Sequence, residues 1–177
     1  MSDRRSLLRR LDQTGIPLIV ARLVLGVLFI KMGLTKAADP VDFLKLIRQY
    51  EMVPETGWWF LNFTAIVLPW AEVFCGVLLI AGVAVRGASL TLLIMLLVFT
   101  PVVALRAVDI YGAGDLPFCG IAFDCGCGSG VVNICFKLFE NVGLALLCLL
   151  ALVSQSRRLC FRSRLIPSRS PASGPSR

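Results

Sequence analysis

Four apolar stretches, each about as long as the hydrocarbon core of a bilayer requires, decide what this chain can fold into. They cover residues 16–34, 59–82, 88–108 and 131–153, and shorter polar segments separate them. A soluble domain carries about 25% charged residues; this chain has 16% charged and 57% hydrophobic residues. The expected fold is an all-α membrane protein, a four-transmembrane-helix bundle. Residues 1–15 then form a basic arm and residues 16–153 the membrane domain. Residues 154–177 form a basic tail, rich in Ser and Pro and without the apolar periodicity that folding needs. The 177 residues include no histidine, which excludes haem on imidazole, histidine zinc sites and imidazole triads or proton relays. Ionisable chemistry falls to Cys, Asp, Glu, Lys and Arg.

Basic residues set the orientation. They gather at Arg4, Arg5, Arg9 and Arg10, at Arg86 between spans two and three, and from Arg157 to the end. Both termini are expected in the cytoplasm of a multi-pass inner-membrane protein. No small-residue cleavage site follows the first apolar core before Lys31, so that span is expected to be retained as a signal anchor. The two longer connections, outside on this topology, hold Asp39, Asp42, Glu51, Glu55, Asp109, Asp115 and Asp124. In the first of them, Asp39-Pro40 followed by Phe43, Leu44, Ile47 and Tyr50 reads as an N-cap, a proline at the first helical position and an apolar stripe. That pattern predicts a short interfacial helix in the first outer loop.

Three spans carry polar stripes at helical spacing: Arg22, Gly26, Gly33 and Lys36; Asn62, Pro69, Glu72 and Gly76; and Asn133, Lys137, Glu140, Asn141 and Cys148. An unpaired charge in the bilayer costs about 3 kcal/mol or more, so the stripes are expected to face a shared interior. At 1.5 Å of rise per residue from the cytoplasmic ends, Arg22 lies about 9 Å deep, Glu72 about 15 Å and Glu140 about 20 Å. Arg22 is thus the expected partner of Glu72, which leaves Lys31 or Lys137 for Glu140. Arg22, Lys36, Glu72, Lys137 and Glu140 form a candidate intramembrane polar site. It serves as a structural pin, a pocket for a polar cofactor or substrate, or a place to handle protons.

Four of the seven cysteines, Cys119, Cys125, Cys127 and Cys135, crowd around the second outer loop, FCGIAFDCGCGSG. Cys125 and Cys127, separated only by Gly126, are spaced for a strained, exchange-active disulfide on an oxidising face. A structural staple, unpaired thiols, and a zinc or iron-sulfur site remain as alternatives, the last fitting poorly because paired Cys-x-x-Cys knuckles are missing. Arg106 and Lys36 are the cations expected to stabilise a thiolate there, against the opposing charge of Asp124. Cys119 and Cys135 form a candidate second pair. Cys135 is the awkward member, since it lies off the face of Lys137 and Glu140 and the loop must fold back over the helix end to reach it. Cys75 and Cys148 read as small apolar residues, and Cys160 as a weak acylation signal.

The strings ARLVLGVLFIKMGLTK in span one, LPWAEVFCGVLLIAG in span two and DCGCG before span four resemble the DoxX and MauE group of four-helix membrane proteins over residues 18–153. The resemblance implies a redox-linked role. MauE-type proteins are associated with methylamine utilisation and with disulfide formation in the small subunit of methylamine dehydrogenase, and DoxX-type relatives with quinone-dependent oxidation. Carried over residue by residue, it singles out Cys125 and Cys127, with Arg22, Lys36 and Glu72 as family-like bundle residues. Gly128 and Ser129 stand where the family is expected to carry an aromatic residue. The architecture is also similar to that of the vitamin K epoxide reductase family, whose dithiol sits beside a quinone.

The expected function is therefore a membrane thiol-disulfide oxidoreductase or maturation factor. Its partners are an extracytoplasmic thiol protein or dehydrogenase subunit and the surrounding lipid, with no nucleic acid involved, and its electrons pass to the second cysteine pair or directly to a quinone held by the polar stripe. The alternative is a non-catalytic anchor subunit of a quinone-linked respiratory or dehydrogenase complex. A solute transporter is the weaker third reading, for want of internal repeats.

Overall fold

The computed structural model describes residues 15–49, 57–114, 117–124 and 130–154. Four long helices dominate: α1 (Ile16–Ala38), α3 (Trp58–Ala81), α4 (Val85–Ala113) and α5 (Ile134–Val153). All four are long and apolar enough to cross a bilayer, and the chain is a multi-pass membrane protein. Their outward faces carry Val20, Val27, Phe63, Trp70, Leu97, Val98, Phe139 and Leu146, all exposed. Such surfaces would aggregate in water and are ordinary against lipid tails.

Between α1 and α3 lies the short helix α2 (Pro40–Gln49). Its start follows the sequence signals: the Asp39 carboxylate accepts the Asp42 N–H at 2.9 Å, the Asp39 carbonyl accepts from Phe43, and Pro40 opens the helix where no N–H is needed. Phe43 turns inward and is 3% exposed. Tyr50, the last member of the expected stripe, lies outside the described residues.

Helix boundaries depart from the apolar windows in instructive ways. α1 runs past Leu34 to Ala38 because Lys36, which lowers hydropathy, is neutralised inside the bundle. α4 is 29 residues long, so Arg86 lies in its first turn and Arg106 and Asp109 are helical. At about 43 Å it exceeds a hydrocarbon core of about 30 Å. The fourth helix starts at Ile134, since Val131–Asn133 form a strand, β2, paired antiparallel to β1 (Ala122–Asp124) with Ala122 opposite Asn133. Two consecutive valines are apolar enough to read as part of a span and β-branched enough to be a strand.

α1 packs chiefly on α3, and α4 on α5. The α3–α4 turn closes with Gly82 at φ 71°, whose N–H reaches Leu79 O while the Val83 N–H reaches Leu78 O. This is the Schellman arrangement, and it needs a left-handed residue. Gly82→Ala is expected to cost about 1 kcal/mol, read as a lower thermal midpoint in detergent micelles.

The core consists of two apolar clusters. One lies toward the α3–α4 turn and includes Leu25, Phe29, Cys75, Leu96, Leu144 and Cys148. The other, toward the cysteines, includes Met32, Val103, Ala107, Ile121 and Ile134. Along α4, Thr100 falls between Leu96 and Val103; along α5, Lys137 and Asn141 fall between Ile134 and Leu144. A polar layer therefore divides the core.

Candidate functional site

Lys36 and Glu72 are the centre of that layer. Lys36 Nζ donates to both carboxylate oxygens, at 2.6 and 2.8 Å, and the two side chains are 4% and 6% exposed. Aromatic rings cover the ammonium, with Phe43 of α2 at 5.5 Å and Phe99 of α4 at 5.9 Å from its nitrogen. Their negative faces suit a cation that has left water. Lys137, fully buried, donates to Glu140 at 2.8 Å and acts electrostatically on both Lys36 and Glu72. Asn141 donates to the Thr100 hydroxyl at 3.1 Å. The layer thus offers two cations, two carboxylates and two neutral hydrogen-bonding groups.

Arg22 does not pair with Glu72. Its Nε donates to Leu79 O at 2.8 Å and its Nη2 to Ile80 O at 3.2 Å. The guanidinium caps the carbonyl end of α3, where a cation is favoured by the helix dipole. Register explains the correction. Gly26 faces the Gly76 carbonyl and Gly33 the Pro69 carbonyl, which puts Arg22 level with Ile80, about two turns from Glu72. Counting depth from the helix ends overlooked that Lys36 can reach back into the bundle instead of out of it. Glu140 takes Lys137, as one of the two expected alternatives; Lys31 is exposed, as is Asn62, which leaves the stripe of span two.

Asn133 also leaves its stripe, to become the N-cap of α5. Its side-chain oxygen accepts the Cys135 N–H at 3.0 Å, and its amide nitrogen donates to the Cys119 carbonyl. Cys119 and Cys135 are joined by a disulfide with their Cα atoms 5.2 Å apart. The bond forms because the chain does fold back over the helix end: the 3-10 turn Phe118–Gly120 precedes β1, Phe118 packs edge-on against Tyr111, and the Ile121 carbonyl accepts the Ile134 N–H at 3.1 Å. Cys119 is exposed and Cys135 half-buried. Lys137 follows Cys135 by two residues in the same helix.

Cys125 and Cys127 join β1 to β2 in the chain and, like Cys160, lie outside the described residues. Cys75 and Cys148 are unbonded and buried in the first apolar cluster. Among the described residues no group of three or more His, Cys, Asp or Glu is placed to hold a metal. The Cys119–Cys135 bond occupies two of the four sulfurs that a four-thiolate cluster would use. Lys36 itself is engaged by Glu72 and enclosed, so it is not a surface cation for a thiolate. Nothing in the sequence marks Thr100, Phe43 and Phe99 as members of the layer: Phe43 reads only as part of the apolar stripe of α2, and Phe99 and Thr100 fall within an apolar span. Asn133, two residues before Cys135, did carry a signal, being an N-cap type.

Compared with known proteins, residues 14–154 match the family model described as Methylamine utilisation protein MauE. No curated protein and no solved structure matches the chain.

Proposed function

The chain belongs to the MauE family, and from that membership we propose that it is a membrane thiol-disulfide oxidoreductase, or a maturation factor of the same chemistry, acting on an extracytoplasmic partner. The observation that carries this reading is the Cys119–Cys135 disulfide, which flanks Cys125 and Cys127 in the chain. A partner dithiol that becomes a disulfide gives up two electrons and two protons, and a cysteine pair of this chain takes up the electrons. The family description concerns methylamine utilisation, which makes a disulfide-bearing dehydrogenase subunit the partner proposed.

Renewal of the oxidised pair needs a two-electron acceptor, for which the class proposed is a membrane quinone. The donor types of the layer suit such a head group, with Lys36 and Lys137 for carbonyl oxygens beside the rings of Phe43 and Phe99, and a quinone would have to take Lys36 from Glu72 or Lys137 from Glu140. When bound, a quinone would supply the sink for two electrons and two protons. Lys36 and Lys137 would orient it, and Glu72 would hold a proton at its carboxylate.

The orientation proposed places both termini in the cytoplasm of the inner membrane and the cysteines outside, supported by the basic arm, Arg86 and the basic tail. Reporter fusions after Ser129 and after Gln155 are expected to report opposite sides; the same side for both overturns it.

Acid-trapped alkylation mass spectrometry tests the redox reading. The oxidised fraction of the four loop cysteines, Cys119, Cys125, Cys127 and Cys135, is expected to follow the redox state of the quinone pool. Occupancy that never changes, together with Cys→Ser variants that keep function, would leave the second reading: a non-catalytic anchor subunit of a quinone-linked complex. That reading draws on the pairing of Lys36 with Glu72 and of Lys137 with Glu140, which a purely structural layer also requires.

A further inference from the structure

We infer that the Cys119–Cys135 disulfide is polarised, with Cys119 the sulfur that receives an incoming thiolate and Cys135 the sulfur released. The inference rests on the exchange reading above and assigns roles within it. Access is the first observation. Cys119 is exposed on the 3-10 turn, whereas Cys135 is half-buried in the first turn of α5, next to the buried Ile134. An attacking sulfur approaches along the line of the S–S bond from behind the sulfur it strikes, so the exposed member is the one in reach.

The fate of the departing sulfur is the second observation. Cys135 is the second residue of a 20-residue helix capped by Asn133, and a thiolate released there faces the positive end of the helix. A better-stabilised thiolate leaves faster. Cys119 sits on a three-residue turn, which supplies no comparable field.

Asn133 supplies the third. Its oxygen holds the backbone of Cys135 and its nitrogen the backbone of Cys119, while Ile134 N–H to Ile121 O closes the same junction. These bonds do not depend on the S–S bond. They hold the backbones of the two cysteines together after reduction, which makes Asn133 a positioning residue for re-closure.

The step balances as follows. The thiolate of a dithiol partner forms a bond to Cys119 Sγ, the Cys119–Cys135 bond breaks, and its electron pair leaves on Cys135 Sγ. The partner's second thiol, having lost its proton to water, attacks the partner sulfur of the mixed disulfide and releases Cys119 as a thiolate. The partner has lost two electrons, and the cysteine pair has gained them.

The test uses the full chain in lipid nanodiscs with Cys125→Ser, Cys127→Ser and Cys160→Ser, which leaves this pair and the buried thiols Cys75 and Cys148. Oxidised protein is exposed to glutathione, quenched with acid and mapped by peptide mass spectrometry. The expected result is glutathione on Cys119, in excess over Cys135 by about tenfold or more, with Cys135 recovered as a free thiol. Equal adducts, or an excess on Cys135, overturn the polarity while leaving exchange standing. Adducts on neither cysteine, where the denatured chain reacts at both, remove this pair from exchange; the wild-type occupancy experiment then still decides the broader reading through Cys125 and Cys127. In the same background, Asn133→Ala should lower the constant for disulfide closure against glutathione about tenfold. Asn133→Ser, which keeps an acceptor for the Cys135 N–H, should retain the preference for Cys119. An unchanged closure constant in Asn133→Ala overturns the positioning role.

Discussion

Glu72→Leu is expected to cost about 3–5 kcal/mol of stability, because it strands a lysine ammonium inside the bundle with no carboxylate to meet it. Folded proteins have only about 5–15 kcal/mol to lose. The Lys36 side chain is 4% exposed, and among the described residues its acceptors are the two oxygens of Glu72, with no other oxygen positioned to take over. Lys36→Met strands Glu72 in the same way. The double variant removes both charges and keeps apolar volume against Phe43 and Phe99, and it should be more stable than either single variant. Thermal unfolding in detergent micelles measures the cycle, and a double variant as damaged as the two singles added together would refute the pairing. Arg22→Met serves as the control. Arg22 caps Leu79 and Ile80 and does not touch Glu72, so its effect should simply add to that of Glu72→Leu. A double variant that folds yet no longer turns over the loop cysteines would separate a working layer from a structural pin.

The sequence made four spans legible because apolar length is a property of composition, which survives any error in register. It made α2 legible because Asp39, Pro40 and the apolar stripe are local signals, each acting within one turn. What it could not reveal were relations between helices. Helical spacing correctly assigned Arg22, Lys36 and Glu72 to inward faces, but only the α1–α3 register, fixed by glycines meeting backbone oxygens, decides which charge meets which. Cys119 and Cys135 were legible as a possible pair. Their junction was not, since it depends on the β1–β2 register with Ala122 opposite Asn133, and the valines of β2 read as membrane span. Asn133 reads as part of a polar stripe for the same reason, because Val131 and Val132 are apolar enough to extend the span by three residues beyond the start of α5.

Gly76→Ala is expected to destabilise the bundle by about 2–3 kcal/mol, although alanine is the better helix former. A Cβ at Gly76 would lie 2.8 Å from the Gly26 carbonyl oxygen and 2.8 Å from Ile30 Cγ1. The side chain of Ile30 can turn away; the carbonyl oxygen of a helix cannot. Gly33 meets the same obstacle, with the Pro69 carbonyl oxygen 2.7 Å from its added Cβ, and Gly26 meets the Gly76 carbonyl oxygen at 2.9 Å. Lipid tails are as apolar as the helix surfaces, so close packing is what holds such helices together, and small residues are what permit it. Gly143, by contrast, has nothing within 4 Å of an added Cβ, and neither has Gly87. There alanine should be neutral or should stabilise by up to about 1 kcal/mol through helix propensity alone. The first group is expected to lower the thermal midpoint and the second to leave it unchanged or raise it, and Gly76→Ala no worse than Gly143→Ala would refute the close α1–α3 contact. The same separation of helices would draw Arg22 from Leu79 and Lys36 from Glu72, since both contacts cross that interface. Gly33→Ala should therefore cost less in the Lys36→Met, Glu72→Leu background than in the wild type, because one of the contacts that it strains is already gone.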